Sequence, residues 1–373
     1  MQSNTSNKEL IDATNGLIYL CRCAINNSIP DSNILKEYNI DQIFEIARKH
    51  MLCSIAGIAL ESAGIHNQSF QNAVAASTRK IIIIDNEKQN VFRELENAGI
   101  WHMSLKGSII RDWYPKFAMR ESADCDILFD KNFEETVKQI MIRLGYSVES
   151  YGNGHHDVYY KKPLTNMQMH VALFGPGFEN RLNDYYDNIE SKLLKGEHYE
   201  RSFTPEDFYI YFIAHNHRDY SNSGIGLRSV LDTYVILKRF NFDWDYIERE
   251  THKLQISKFE EENRMLSLHL FDNTILTQSD KDLLEYMINS GIYGNIDNFV
   301  SNNINKEGGG AVGKIRYCFS RLFLPMDVIK HAFPTFYKHK ILIPFLPIYR
   351  IIKGIKYNNS KLKNELISVF KNK

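Results

Sequence analysis

Trp101 to Asp130 reads WHMSLKGSIIRDWYPKFAMRESADCDILFD, and the fold turns on how this stretch divides. Ile100 to Leu105 is short and mostly apolar, the pattern of a strand. It breaks at Lys106-Gly107-Ser108, where a helix begins that carries Ile109, Ile110 and Trp113 on its buried side until Tyr114-Pro115 stops it. Asp124-Cys125-Asp126 then leads into the apolar Ile127-Leu128-Phe129, a second strand. Residues two apart on a strand project from one face, so Asp124 and Asp126 point together. Paired oxygen donors are what a hard divalent cation takes from a protein when substrate phosphates complete its shell. Gly107 and Ser108 at a helix start offer free backbone N–H groups and a hydroxyl to such phosphates. Alone, an Asp-x-Asp pair is commonly a solvated strand edge and Gly-Ser a plain turn. In the order strand, Gly-Ser, helix, Asp-x-Asp strand, they point to phosphate-and-metal chemistry. Lys106 either pairs with a triphosphate or is solvated. Arg120 is placed either for a bidentate phosphate or carboxylate contact or to bridge Asp124.

Working outward, residues 1–98 read as helical. Leu17, Leu20, Cys21 and Ala24, then Ile43, Phe44 and Ala47, then Ile55, Ile58 and Ala59 recur at helical spacing. Ser28 to Asp31 breaks the first helix from the next, and a longer one spans Gln71 to Asn97 with Gly99 as its stop. This region is expected to be a bundle packed on the sheet. On the other side, Phe133 to Leu144 is a helix ended by Gly145. Strands follow over Tyr146–Tyr151, His156–Lys161 and Asn166–Phe174, joined by Gly152-Asn153-Gly154 and by Lys162 to Thr165, with Gly175-Pro176-Gly177 as the exit. The fold class is α+β, a small sheet with helices on one side. On these strands Gln168 shares a face with His170, and Asp157 with Tyr159. Without a cysteine or a helical His-x-x-x-His pair, His155, His156 and His170 read as structural or substrate-contacting histidines rather than zinc ligands.

Thr204-Pro205-Glu206-Asp207 opens another helix, with Thr204 as N-cap, proline first and acid in the first turn. His215 and His217 lie on roughly opposite sides of it, so one is packed and the other faces the site. On the next helix Arg228 and Asp232 are spaced for an internal i,i+4 ion pair. The boundaries are 1–98, a helical region; 99–203, the α/β core; 204–305, a helical domain; and 306–373, a glycine-rich loop and basic-aromatic helical region. Gly308 to Lys314 matches the first seven places of a phosphate-binding P-loop, but Ile315 stands where serine or threonine is needed and no apolar strand precedes it. It reads as a flexible loop. Residues 338–356 (KHKILIPFLPIYRIIKGIK) mix cationic and apolar side chains as helices on a membrane surface do, although Pro344 and Pro347 exclude one unbroken helix. Packing on the protein's own helices is the default there, and peripheral membrane contact the alternative.

The 373 residues include 43% apolar ones and carry formal net charge zero, which gives no argument for a nucleic-acid partner. The five cysteines are scattered and odd in number, as in a reducing cytosol rather than a disulfide framework. The opening MQSNTSNKELIDATNG is polar, without a signal-peptide pattern, and no run reaches the ~20 apolar residues of a membrane span. A cytoplasmic protein, peripheral at the inner membrane face in the alternative, is expected.

The Gly-Ser turn followed by an Asp-x-Asp strand resembles the nucleotidyltransferases of the polymerase-β type. More narrowly, Leu105-Lys106-Gly107, Tyr114-Pro115, Arg120 and Asp124-x-Asp126-Ile127-Leu128 resemble a bacterial branch of uncharacterised nucleotidyltransferases. His155-His156, Met169-His170, His215-x-His217, Leu227-Arg228 and Asp232 extend the likeness over about residues 10–350. The resemblance implies a small mixed β-sheet core flanked by helical regions. It also implies transfer of a nucleoside monophosphate from an NTP, ATP favoured, to an acceptor hydroxyl or phosphate, with release of pyrophosphate. Asp124 and Asp126 would hold Mg2+ or Mn2+, with Gln168 as the third catalytic position; Lys106, Gly107, Ser108, Arg120 and His170 would meet the nucleotide. One departure stands out: the branch has a third carboxylate two residues before the strand histidine, and here that position is Gln168. Glutamine offers a carbonyl oxygen but neither charge nor a general base. The site is then weakened, or supplied with a substitute carboxylate for which Asp157 is the candidate, or part of a nucleotide-binding or scaffold domain without catalysis.

Overall fold

A computed structural model describes residues 2–152, 154–175 and 180–371; Asn153 of one expected turn and Pro176 and Gly177 of the sheet exit lie outside the described residues. The central stretch forms two short antiparallel strands, β1 (His102–Ser104) and β2 (Cys125–Phe129), with the helix Lys106–Arg111 between them. Three more strands follow: β3 (Ser147–Ser150), β4 (His156–Lys161) and β5 (Thr165–His170). They assemble in the order β1-β2-β5-β4-β3, a mixed sheet because β2 and β5 alone run parallel. The fold is thus α+β, as expected. Gly99 and Gly145, each in the left-handed conformation that costs glycine nothing, end the helices Gln68–Asn97 and Glu134–Arg143 and turn the chain into the sheet.

Strand alternation separates the two faces of the sheet. Cys125, Ile127 and Phe129 of β2, Met167 and Met169 of β5 and Tyr159 of β4 pack against Ile84, Val91 and Leu95 of the long helix and Val137, Ile140 and Met141 of the next. Burial of each such side chain contributes about 1.5–3 kcal/mol, so the register of β2 and β5 is strongly specified. The opposite face carries Asp126, Gln168, His170 and His156, because Asp126 pairs with Gln168 and His156 with His170 across the ladders. Asp157 pairs with Met169, which puts it on the apolar face, away from the aspartates. The expectation that Asp157 replaces the missing carboxylate is therefore corrected. It is buried at 3% exposure, accepts a hydrogen bond from Gly152 N at 2.8 Å, and its carboxyl is pushed up by burial.

The polar face is roofed by the helices Pro205–Asn222 and Leu227–Arg239, whose apolar residues share one core with the N-terminal helices. Thr204 caps the first of these by accepting from Asp207 N, with Pro205 at the first position. The second is held at its start by fully buried His50, whose Nδ1 accepts from Leu227 N at 3.1 Å. Burial holds that imidazole down at about 4, so it stays neutral and keeps its lone pair for the helix. Gly224 reaches the same corner at φ 99°, where a Cβ would sit 2.3 Å from Ser290 Oγ. These contacts fix the point at which Arg228 enters the site.

Gly308 and Gly309, both at left-handed φ, join the helices Ile296–Lys306 and Gly310–Leu322, so no strand feeds this P-loop look-alike; the expected loop over Gly308 to Lys314 is corrected, since Gly310 to Lys314 form the start of the second helix. The 338–356 stretch is broken into a 3-10 turn, Lys340–Phe345, and the start of the helix Leu346–Lys371; the side chains of 354–356 lie outside the described residues. Ile341, Phe345, Ile348 and Ile352 are exposed there rather than packed on the helical domain. No helix among the described residues is long and apolar enough to cross a membrane.

Candidate active site

Asp124 and Asp126 project from the sheet into a cavity of about 320 Å³ between the sheet and the two roofing helices. Lys106, Gly107, Gln168 and His170 line it from the sheet side, and Tyr211, His215, Arg218, Asp219 and Arg228 from the roof. Gln168 Nε2 donates to Asp124 Oδ2 at 2.9 Å, while His170 Nε2 donates to Asp126 Oδ1 at 3.0 Å. The two carboxylates are thus held by separate donors and kept adjacent. Burial pushes both upward. At Asp126 the His170 hydrogen bond and nearby Lys106 outweigh it and hold the group at about 2; at Asp124 the Asp126 charge adds to burial and the carboxyl stays raised. The pair is a concentrated negative charge in a partly dehydrated cavity, the electrostatic condition that a divalent cation relieves.

Lys106 is pushed down to about 8, burial outweighing the attraction of Asp126 and Asp219. Gly107 reaches the cavity through its backbone, and its carbonyl accepts from Arg120 Nη1 at 3.0 Å. One nucleotide-binding expectation changes here, and that for Arg120, which lines the cavity, resolves to its bidentate carboxylate alternative. Ser108 sits in the first turn of the helix and lines a different cleft with Lys88, Phe92 and Ser104; its buried hydroxyl lacks a hydrogen-bond partner among the described residues. Helical rotation, about 100° per residue, carries it past the cavity that Lys106 and Gly107 face. Arg120 is not a bridge to Asp124. Its Nε and Nη2 lie 2.8 and 2.9 Å from the two oxygens of Asp232, a buried bidentate pair that Tyr114 completes by donating to Asp232 Oδ1 at 2.7 Å.

That pair also displaces the expected Arg228–Asp232 contact. Arg228 instead donates to the Glu121 carbonyl at 3.3 Å and to Met51 Sδ, and its guanidinium lines the aspartate cavity. Burial and the neighbouring Arg120 lower its pKa. Among the described residues no carboxylate stands within ion-pair distance of Arg228, so a phosphate is the anion its position suits. Lys80, from the long helix, donates to Ala123 O at 2.7 Å and fixes the backbone entering the aspartate strand. Glu121 accepts from Ser54 N at 2.9 Å at the start of another helix, pinning the same loop from the other end. Of the two helix histidines, His215 lines the cavity with its Nδ1 3.2 Å from Asp219, while His217 packs on Phe259. Burial holds His215 far below its usual range, hence neutral. Asp219, Glu121 and Asp232 are the further carboxylates on the cavity wall, and Asp157 is not among them. Glu121 is held by Ser54 N and Asp232 by Arg120, which leaves Asp219 beside His215 and Arg218. Nothing in its linear neighbourhood marks it, since its place depends on how the roof helix docks.

The sequence profile of a family described as "Uncharacterised nucleotidyltransferase" matches residues 36–272, well over half of the chain and all of the cavity residues named above. The chain belongs to this family. The matched region is narrower than the expected 10–350, and it ends before the glycine-rich and basic-aromatic segments. No curated protein and no solved structure matches this nucleotidyltransferase-family chain.

Proposed function

We propose that the protein transfers a nucleoside monophosphate from an NTP, with ATP the favoured donor, to an acceptor hydroxyl or phosphate, releasing pyrophosphate. The observation that carries the reading is one cavity in which Asp124 and Asp126 face Lys106 and Arg228. The donor set fits a hard cation: two adjacent carboxylates, one raised by burial and by the charge of the other, with an amide and an imidazole as their side-chain donors among the described residues. Asp124 and Asp126 would hold Mg2+ or Mn2+. When bound, such an ion neutralises the triphosphate and polarises the phosphoryl oxygen under attack. Lys106 and Arg228 bind the triphosphate chain and stabilise charge that accumulates on it. Arg120, locked to Asp232, positions the Gly107 backbone rather than touching substrate. Neutral His215 and Tyr211 wall the cavity without adding charge. A screen of the four NTPs with Mg2+ or Mn2+, read by pyrophosphate release and by mass spectrometry of products, tests the reading; no release with any of the four would oppose it.

Lys106 gives a pH prediction. Its ammonium is charged at pH 7 and deprotonates as pH rises through about 8. A triphosphate favours the charged form, so ATP affinity is flat below that pH and falls by about tenfold per unit above it. Lys106→Arg, whose guanidinium stays charged, should flatten the profile. Titration calorimetry across pH 6.5–9.5 (roughly the range bracketing the lysine) reads the difference.

Gln168 favours a second reading, in which the family fold binds a nucleotide without transferring it, because the amide supplies no third charge to the site. Gln168→Glu separates the two. It turns the donor on Asp124 into a third anion, so the variant should be more dependent on Mg2+ for its thermal midpoint and faster in turnover. A variant with neither gain indicates that position 168 does not complete a cation site.

A further inference from the structure

Three histidines meet at the end of the sheet beside the aspartates. The antiparallel register sets His156 directly opposite His170, and His155 is drawn in by its carbonyl, which accepts from Val171 N and Ala172 N at 2.9 and 3.2 Å. One ring nitrogen from each of the three lies within 4.8 Å of the others. These are the histidines whose spacing argued against zinc; strand pairing and a chain reversal, which that spacing does not encode, gather them.

His170 decides how the cluster reads. It is buried at 7% exposure, and its Nε2 is committed to Asp126 at 3.0 Å. Its Nδ1 is buried with no hydrogen-bond partner among the described residues. An imidazole with one nitrogen donating to a carboxylate and the other left with a bare lone pair is the arrangement of a metal-ligating histidine, whose orientation and basicity the carboxylate sets. His155 is seated tightly as well: a Cβ on Gly175 would lie 2.7 Å from its Nδ1. Three imidazoles are the ligand count of a zinc site that keeps a position open, and nitrogen donors select borderline dications over Mg2+.

We propose that His155, His156 and His170 form a binding site for a borderline transition-metal dication, Zn2+ foremost, distinct from the Asp124–Asp126 pair and joined to it through the His170–Asp126 hydrogen bond. The site does not depend on the transferase reading, since metal content is measured without turnover.

The test uses tag-free full-length protein, stripped with a chelator and titrated with Co2+, whose ligand-field absorption reports nitrogen coordination, followed by Zn2+ displacement. The wild type should take up Co2+ stoichiometrically and release it to Zn2+. His155→Gln and His156→Gln should each weaken uptake by at least about tenfold, whereas exposed His66→Gln should match the wild type. Asp124→Asn should keep the Co2+ spectrum while losing Mg2+-dependent ATP binding, which separates failure of this site from failure of the aspartate pair. Gly175→Ala crowds His155 without removing a donor and should also weaken uptake; it decides the matter if a histidine variant is misfolded by circular dichroism. Absence of a Co2+ spectrum in the wild type, or a spectrum undiminished in both histidine variants and in Gly175→Ala, overturns the proposal.

Discussion

Replacing Asp126 by asparagine is expected to lower nucleotidyl transfer by about three orders of magnitude while the protein remains folded. The loss corresponds to about 4 kcal/mol of transition-state stabilisation, the scale of removing the charge that positions a catalytic cation. Stability should move far less. The asparagine carbonyl still accepts from His170, and the change removes the repulsion that adds to burial in raising Asp124. Steady-state pyrophosphate release and a thermal midpoint, measured on the same preparation, distinguish the two effects. Turnover within tenfold of wild type would remove Asp126 from the chemistry.

The second large effect is on stability. Asp232→Ala leaves Arg120 buried without its bidentate partner, Tyr114 without its acceptor, and Arg228 near a second uncompensated guanidinium. Breaking a buried pair from one side costs about 3–5 kcal/mol, a fall in midpoint of about 4–6 °C for a chain of this size. Replacing both partners, Arg120→Met with Asp232→Leu, removes the stranded charge and should recover part of the loss. Thermal denaturation of the single and double variants forms the cycle. A single variant no less stable than a surface substitution would show that the pair is not the clamp between the sheet-side loop and the roof.

The aspartate pair was legible because its signal is local: period-2 alternation puts Asp124 and Asp126 on one face whatever the strand pairs with. Helix ends were legible for the same reason, Gly99, Gly145 and Thr204 each carrying its own backbone requirement. Asp157 was misread because alternation ties it to Tyr159 but cannot tell which sheet face the two occupy; the pairing with Met169 decides that, forty-odd residues from the aspartates. Arg228 and Asp232 have the spacing of a helical ion pair, yet Arg120, distant in sequence, brings a bidentate fork that a helical neighbour cannot match. Ser108 fails by a single residue of helical rotation. Asp219, Arg218 and the histidine cluster depend on docking and register, which no short window encodes.

The most direct test of the aspartate pair as a cation seat beneath a triphosphate is anomalous diffraction from crystals soaked with Mn2+ and a non-hydrolysable ATP analogue. The predicted result is an anomalous peak in contact with both Asp124 and Asp126, with the phosphate chain running toward Lys106 and Arg228. Ordered nucleotide in the cavity with no peak at the two carboxylates, or a peak only elsewhere, would contradict it.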